Sequence, residues 1–178
     1  MKHLLPKTLL IAGSLCFLSP AIAEEENFKT EIENGRVNIE WVKPTEFRDV
    51  HPSGNTSTRI KYRKFVFNRL HKHVEKLAEK FPEGYELSLT VNDLDMAGDT
   101  RRNFNFVRIM QRIDIPRIKF SYELKDDKGQ IVSSDTVNLR DMNYLDNASR
   151  IGSQRALYFE REMLSDWFKK EFKEVINA

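Results

Sequence analysis

The residues best suited to chemistry in this chain are three closely spaced aspartates and two arginines. Asp93, Asp95 and Asp99 follow an alternating apolar run, and Arg59 and Arg63 lie earlier, in a basic segment. Carboxylates act as general acids and bases in hydrolases, and arginines bind anionic groups. Three interpretations remain open: a structural cluster of ion pairs, a cleft for an anionic or zwitterionic ligand, and a hydrolase site.

Two patterns resemble metal sites, and neither offers the set of ligands that a metal ion requires. Segment 93–99 begins like a calcium-binding loop, but Ala97 takes the place of an oxygen ligand and Phe104 that of the closing glutamate. His71 and His73 are two apart on a predicted helix, where they point to different sides. We therefore expect no metal and no other cofactor.

The chain lacks the short motifs of the common catalytic sites. It has no Gly-x-Ser-x-Gly elbow, no His-Glu-x-x-His pair and no glycine-rich phosphate loop. Glu160 and Glu162 are two apart on a predicted helix and do not converge as an acid–base pair. The sequence therefore favours a binding protein, and a hydrolase that uses Asp93, Asp95 or Asp99 is the alternative.

The first residues have the layout of a secretory signal peptide. Lys2 and Lys7 bracket a cationic start, an apolar run covers 9–18, and small residues lead to a cleavage point between Ala23 and Glu24. The apolar run is too short to span a bilayer, and no second run of that length follows. We therefore expect a soluble periplasmic or secreted protein with no transmembrane segment after processing.

Processing changes the composition of what remains. The only cysteine, Cys16, leaves with the signal, so the mature chain has neither a disulfide nor a thiolate. Loss of Lys2 and Lys7 leaves 27 basic against 27 acidic residues. The mature chain as a whole is therefore not expected to bind polyanions.

One predicted helix nevertheless carries a strong local excess of positive charge. Between Arg59 and Lys80 there are eight basic residues, and Glu75 and Glu79 are the only acids. Such a face can meet anionic lipid head groups or nucleic acid phosphates, and it is more often solvated or covered by the chain's own acids. Export argues further against a nucleic acid partner.

The elements that position these residues follow from hydrophobic periodicity. Apolar residues alternate over 37–41 and again over 85–91, which predicts two strands. Between them, helical spacing over about 58–81 predicts a long amphipathic helix that Pro82 ends. Segment 24–35 is polar and acidic and is predicted to be a flexible lead-in.

The second half predicts further strands and a second helix. Over 104–124 the alternation slips at Pro116, which favours two strands over one bulged strand. The turn at 126–129 predicts a hairpin whose returning strand covers 130–139. A final helix is predicted over about 153–176.

This order predicts a single α+β domain over 36–178, with two long helices packed on one face of a mostly antiparallel sheet of four to five strands in a two-layer arrangement. The first strand, first helix and second strand are predicted to form a right-handed crossover unit. The helix then starts at the sheet edge where the second strand ends. We therefore expect Arg59 or Arg63 to pair with Asp93 or Asp95.

Several short pieces of the chain, taken in order, resemble one bacterial family. They are Trp41-Val42-Lys43-Pro44 with Phe47-Arg48-Asp49-Val50, Val91–Gly98, Pro116-Arg117-Ile118 with Tyr122, Leu139–Leu145, and Tyr158–Arg161 with Met163-Leu164 and Trp167-Phe168. Together they resemble the secreted family known as domain of unknown function 3016. Met96 replaces an expected leucine, a change that cores tolerate. The resemblance implies one secreted domain in an envelope-bearing bacterium, and it brings no activity, ligand or catalytic residue.

The sequence as a whole predicts an exported binding or envelope-accessory module. Its candidate binding residues are Arg59, Arg63, Asp93, Asp95 and Asp99. Its partner is expected to be an envelope component, a small solute or a protein, and not a nucleic acid.

Overall fold

Five strands and three helices make up the part of the chain that the structure describes. The structure is a computed structural model, and it describes residues 27–52, 54–98, 108–146 and 155–177. The elements are β1 (Asn27–Thr30), β2 (Val37–Val42), α1 (Thr56–Ala78), β3 (Glu86–Asp95), β4 (Arg117–Lys125), β5 (Ile131–Arg140), α2 (Tyr158–Glu171) and α3 (Lys173–Ile176). The predicted signal peptide, with its cleavage point, lies outside these residues.

The strands form one mixed sheet in the order β1-β2-β3-β4-β5. β2 and β3 run parallel, and the other neighbouring pairs run antiparallel. Helix α1 connects the parallel pair, so the predicted strand–helix–strand unit is present. The α+β class is confirmed, and the sheet is mixed because this crossover makes one pair parallel.

Helix α1 begins and ends close to where its periodicity predicts. The side chain of Asn55 caps its start, accepting the N–H of Thr58 at 2.9 Å. Its buried residues recur at helical spacing, and they are Val66, Phe67, Leu70, His71, Val74, Leu77 and Ala78. This apolar stripe is what fixes the helix against the sheet.

One large apolar core joins the sheet to the helices. The strand residues that enter it are Val37, Ile39, Trp41, Leu87, Leu89, Val91, Leu94, Ile118, Phe120, Tyr122 and Leu124. Trp41 stacks on Phe67 of α1 with ring centroids 4.2 Å apart. Phe120 meets Trp167 of α2 edge-on at 4.7 Å. These aromatic contacts connect each long helix to the sheet.

The segment predicted as a flexible lead-in contains a strand. Residues Asn27–Thr30 form β1, which pairs with β2. The indole N–H of Trp41 donates to Thr30 Oγ1 at 3.2 Å, and the rings of Phe28 and Phe67 lie 5.8 Å apart. Pairing and two side-chain contacts hold β1, whereas its sequence shows no run of alternating apolar residues.

The second helix is shorter than predicted. α2 begins at Tyr158, after Leu157 with a left-handed φ of 57°. It ends at Glu171, because Phe172 leaves helical geometry with φ −103° and ψ 21°. The short helix α3 then covers the last residues of the predicted element. No helix in the described ranges is long and apolar enough to cross a membrane.

The predicted hairpin is confirmed, and the preceding strand begins later than predicted. The N–H of Gly129 donates to Asp126 O at 3.0 Å, and β4 and β5 pair antiparallel beyond this turn. β4 starts at Arg117, directly after Pro116, where a proline costs no ladder hydrogen bond. Residues 110–116 form no strand, and 104–107 lie outside the described residues.

Candidate functional site

The predicted aspartates at the end of β3 face cations on the neighbouring strand. In the antiparallel register Asp93 is opposite Lys119, and Asp95 is opposite Arg117. Asp95 Oδ2 lies 2.9 Å from Arg117 Nη2 and 3.8 Å from Arg48 Nη1. Asp93 Oδ2 lies 4.0 Å from Lys119 Nζ. Directly opposite side chains are close neighbours, so the strand register selects these ion pairs.

The two arginines predicted to pair with these aspartates lie in the first turns of α1. Arg59 is exposed, and Arg63 Nη1 donates to His51 Nδ1 at 3.4 Å. Because a guanidinium can only donate, the proton of His51 sits on Nε2, which donates to Thr45 O at 2.7 Å. Within the described chain neither arginine is an ion-pair partner of the β3 aspartates, and Asp99 lies outside it.

A buried ion pair that was not predicted from the sequence joins α2, the residues just after β3 and the segment before β4. The carboxylate of Glu160 is fully buried, and it accepts two hydrogen bonds from Arg108, at 2.6 and 3.3 Å. Ala97 completes the arrangement, since its N–H donates to Glu160 at 2.8 Å and its carbonyl accepts from Arg108 at 3.0 Å. We call these three residues the buried clamp.

Arg108 keeps its positive charge despite burial. Burial alone lowers the pKa of Arg108, but the adjacent Glu160 carboxylate outweighs this effect and holds the pKa above its usual value. Bidentate arginine–carboxylate pairs are among the stronger hydrogen-bonded contacts in proteins. The clamp is therefore a fixed ionic connection between elements that are distant in sequence.

The sequence contained one signal for the clamp. Glu160, Leu164 and Phe168 are four residues apart and share the buried side of α2. Glu162, two residues from Glu160, is exposed. The position of Glu160 on the apolar stripe predicts a buried charge that needs a partner. Arg108 is 52 residues away, and no local pattern identifies it.

Aromatic residues enclose the clamp. Burial raises the pKa of Tyr62, which lies close enough to the clamp for both of its charges to act on the phenol. Tyr144 donates its hydroxyl to Gln111 O at 2.6 Å, and its ring meets Phe159 edge-on at 4.7 Å. The clamp therefore ties packed elements together and does not present a reactive group to solvent.

The two helix histidines point to different sides, as their spacing predicts. His71 Nε2 lies 3.0 Å from Val37 O in the core, and burial lowers its pKa. His73 Nε2 lies 2.9 Å from Arg161 O and 2.8 Å from Ser165 Oγ on α2. Burial, with the charge of Arg161, lowers the pKa of His73 to about 4. In the described ranges no three metal-binding side chains come together.

An open groove of about 560 Å³ runs between β5 and α2. Its apolar floor is formed by Val137, Leu139, Met163 and Trp167. Its rim carries more acidic than basic residues, namely Asp135, Asp141, Glu162, Asp166 and Glu171 against Arg140 and Lys170. We call this surface the acidic groove.

The strand that borders the acidic groove has an unpaired edge. In the described sheet β5 pairs only with β4. The N–H of Thr136 donates to Asp135 Oδ1 at 2.6 Å, so it faces away from β4. N–H groups of alternate residues point to the same side of a strand, and those of Ser134 and Asn138 therefore face the same free edge.

Together the fold and the site define an α+β domain in which Asp93 and Asp95 of β3 lie beside cations and an open groove runs along an edge strand. The family model described as "Protein of unknown function (DUF3016)" matches residues 35–170, and the chain belongs to this family. The resemblance found in the sequence is confirmed. No curated protein and no solved structure matches the chain.

Proposed function

We propose that this protein is an exported, non-catalytic binding module of the bacterial envelope, and that the acidic groove binds an extended basic segment of a partner protein. The observation that carries the proposal is the unpaired edge of β5 beside an apolar floor and an acidic rim. Extended peptides bind sheet edges through main-chain hydrogen bonds, and adjacent pockets select their alternate side chains.

The floor of the groove is core surface that the helices leave partly uncovered. Val137 and Leu139 lie opposite the buried Phe120 and Ile118 in the sheet register, yet both are only partly buried. The proposal includes a two-layer arrangement in which α1 and α2 cover the apolar face of β2, β3 and β4 and leave that of β5 open. A bound peptide strand with apolar side chains buries the apolar side chains of β5 as well.

The rim favours a cationic ligand. Glu171 is held in place because Tyr122 donates its hydroxyl to Oε1 at 2.5 Å, which leaves Oε2 for a ligand. Burial, together with this hydrogen bond, raises the pKa of Tyr122 to about 12, so the tyrosine remains a donor. Lysine or arginine side chains on a bound peptide complement the excess of carboxylates.

Two other surfaces support the choice of the groove by contrast. The hollow on the polar face of the sheet is lined by Ser88, Thr90, Ser121, Tyr122, Glu123, Ser134, Asp135 and Thr136, and it has no aliphatic floor.

The edge with the β3 aspartates is less suited to the hydrolase alternative, which requires a carboxylate available to exchange a proton with substrate. Asp93 and Asp95 each lie within 4.0 Å of a cation instead.

Export is proposed on the N-terminal pattern alone. The protein recovered from the periplasm of its host should have the mass of a chain that begins at Glu24. A chain that keeps residues 1–23 and stays in the cytoplasm would overturn this part of the proposal.

The groove is tested with short peptides that alternate lysine and valine, or glutamate and valine, titrated into the purified protein by calorimetry. We expect only the lysine peptide to bind. The variant Glu162→Gln with Asp166→Asn should bind it several-fold more weakly, because exposed ion pairs contribute roughly 0.2–1 kcal/mol each.

The matched control is Glu31→Gln with Glu174→Gln, which removes the same charge from exposed positions outside the groove. Equal binding of both peptides, or an equal loss in the control variant, would contradict the proposal.

A further inference from the structure

The side of α1 that faces away from the core is a continuous basic surface. Its exposed residues recur three or four positions apart, and they are Lys61, Phe65, Asn68, Arg69, Lys72 and Lys76. We call this surface the basic stripe. The buried residues of α1 lie on the opposite side of the helix.

Acidic side chains of the described chain do not pair with the basic stripe. Its three lysines form no ion pair with any described residue. Glu75, the nearest acid along the helix, turns to the other side, where its carboxylate accepts the N–H groups of Arg36 and Val37 at 2.9 and 3.0 Å. Glu75 therefore does not cover the basic stripe, although the chain's own acids were expected to cover this face.

An exposed aromatic ring lies in the middle of these charges. The side chain of Phe65 is 43% exposed, and the guanidinium of Arg69 lies 5.4 Å from its ring centre. Helices that lie in a membrane interface combine basic residues with aromatic ones, because the charges meet phosphate head groups and the rings enter the acyl boundary. Phosphate recognition alone does not require an exposed phenylalanine at this place.

We infer that the basic stripe docks the protein onto an anionic phospholipid bilayer, with α1 in the plane of the surface and Phe65 at the head-group boundary. Each lysine near such a surface adds attraction, and salt screens it. The stripe shares no residue with the acidic groove, so this inference and the proposed function can fail separately.

The test is sedimentation of the purified protein with vesicles of phosphatidylglycerol and phosphatidylcholine, compared with vesicles of phosphatidylcholine alone. We expect binding only to the anionic vesicles, and we expect it to weaken as salt is added. The triple variant Lys61→Gln, Lys72→Gln and Lys76→Gln should bind the anionic vesicles about 100-fold more weakly, because each lysine contributes about 1 kcal/mol to binding. A second readout is Phe65→Trp, whose new fluorescence should become shielded from acrylamide on anionic vesicles.

The matched control removes three exposed lysines away from the stripe: Lys29→Gln, Lys128→Gln and Lys173→Gln. It should bind the anionic vesicles like the unchanged protein. The inference is overturned by absence of binding to anionic vesicles at low salt, or by an equal loss in the control. Tighter binding to a DNA duplex than to the vesicles at the same salt would also overturn it, in favour of a nucleic acid partner.

Discussion

The guanidinium of Arg108 and the fully buried carboxylate of Glu160 form a bidentate ion pair, with its shorter contact at 2.6 Å. The pair connects the start of α2 with the segment before β4, and Ala97, two residues after β3, forms a hydrogen bond with each partner. Removal of one partner leaves the other charge buried without compensation. The pair therefore sets how these three segments meet.

Glu160→Gln should lower the free energy of unfolding by about 3–5 kcal/mol, because Arg108 then remains buried without its counter-ion. Urea denaturation followed by circular dichroism measures this loss. The matched control is Glu162→Gln, an exposed neighbour on the same helix, which should stay within about 0.5 kcal/mol of the unchanged protein. Equal effects of the two changes would show that the clamp does not stabilise the fold.

The cross-strand pairs should appear in double-mutant cycles. Asp95→Asn with Arg117→Gln should show a coupling energy of about 1 kcal/mol, because the two side chains lie 2.9 Å apart and are partly buried. Asp95→Asn with Arg63→Gln should couple by less than about 0.5 kcal/mol. A larger coupling energy for Asp95 with Arg63 than for Asp95 with Arg117 would instead support the pairing expected from the sequence.

Stability should fall as the pH is lowered from about 6.5 towards about 4. The pKa of His73 is about 4 in the folded protein and 6.5 in the unfolded chain. Between these two pH values the unfolded chain therefore binds a proton that the folded chain does not. Burial shifts the pKa of His71 in the same direction and adds to the effect. Both contributions are fully present above pH 6.5.

The measurement is the midpoint of urea unfolding at a series of pH values. His73→Gln should reduce the slope in this window, because glutamine can still donate to Arg161 O but does not titrate. The slope assigned to His73 should lie below the limit of about 1.4 kcal/mol per pH unit, since its side chain is partly exposed. An unchanged slope in the variant would rule out His73 as its source.

Gly98 should tolerate a side chain less well than Gly129. Both have left-handed backbone angles, with φ of 72° and 75°, so alanine at either position costs about 1–2 kcal/mol. A Cβ at Gly98 also lies 2.7 Å from Ile109 O, whereas nothing lies within 4 Å at Gly129. Gly98→Ala should therefore destabilise the protein more than Gly129→Ala in urea denaturation, and equal costs would contradict the close packing of 98 against 109.

Local patterns predicted the elements whose residues carry their own signal. Alternation over Val37–Val42 and the helical spacing of α1 placed the parallel crossover, and the turn at 126–129 placed the β4–β5 hairpin. β1 gave no such signal, because four residues with one aromatic side chain become a strand only through pairing with β2. Short strands of this kind depend on tertiary contacts.

The pairings of the candidate site could not be predicted from the sequence. Arg59 and Arg63 were expected to meet the β3 aspartates, yet the strand register decided that Asp95 meets Arg117. Partners such as Arg108 and Glu160 meet only after the chain has folded. The acidic groove also has no sequence signal, because its lining combines residues of β5 with residues of α2 that are distant in sequence.

The most direct test of the groove is amide hydrogen exchange by NMR, with and without the lysine–valine peptide. We expect new protection at Ser134, Thr136 and Asn138, whose N–H groups face the free edge, and no change at the opposite edge in β1. Thr136→Pro should abolish binding while the protein stays folded, since that N–H does not bond to β4. Binding without protection at these three amides, or undiminished binding by the proline variant, would contradict strand addition at β5.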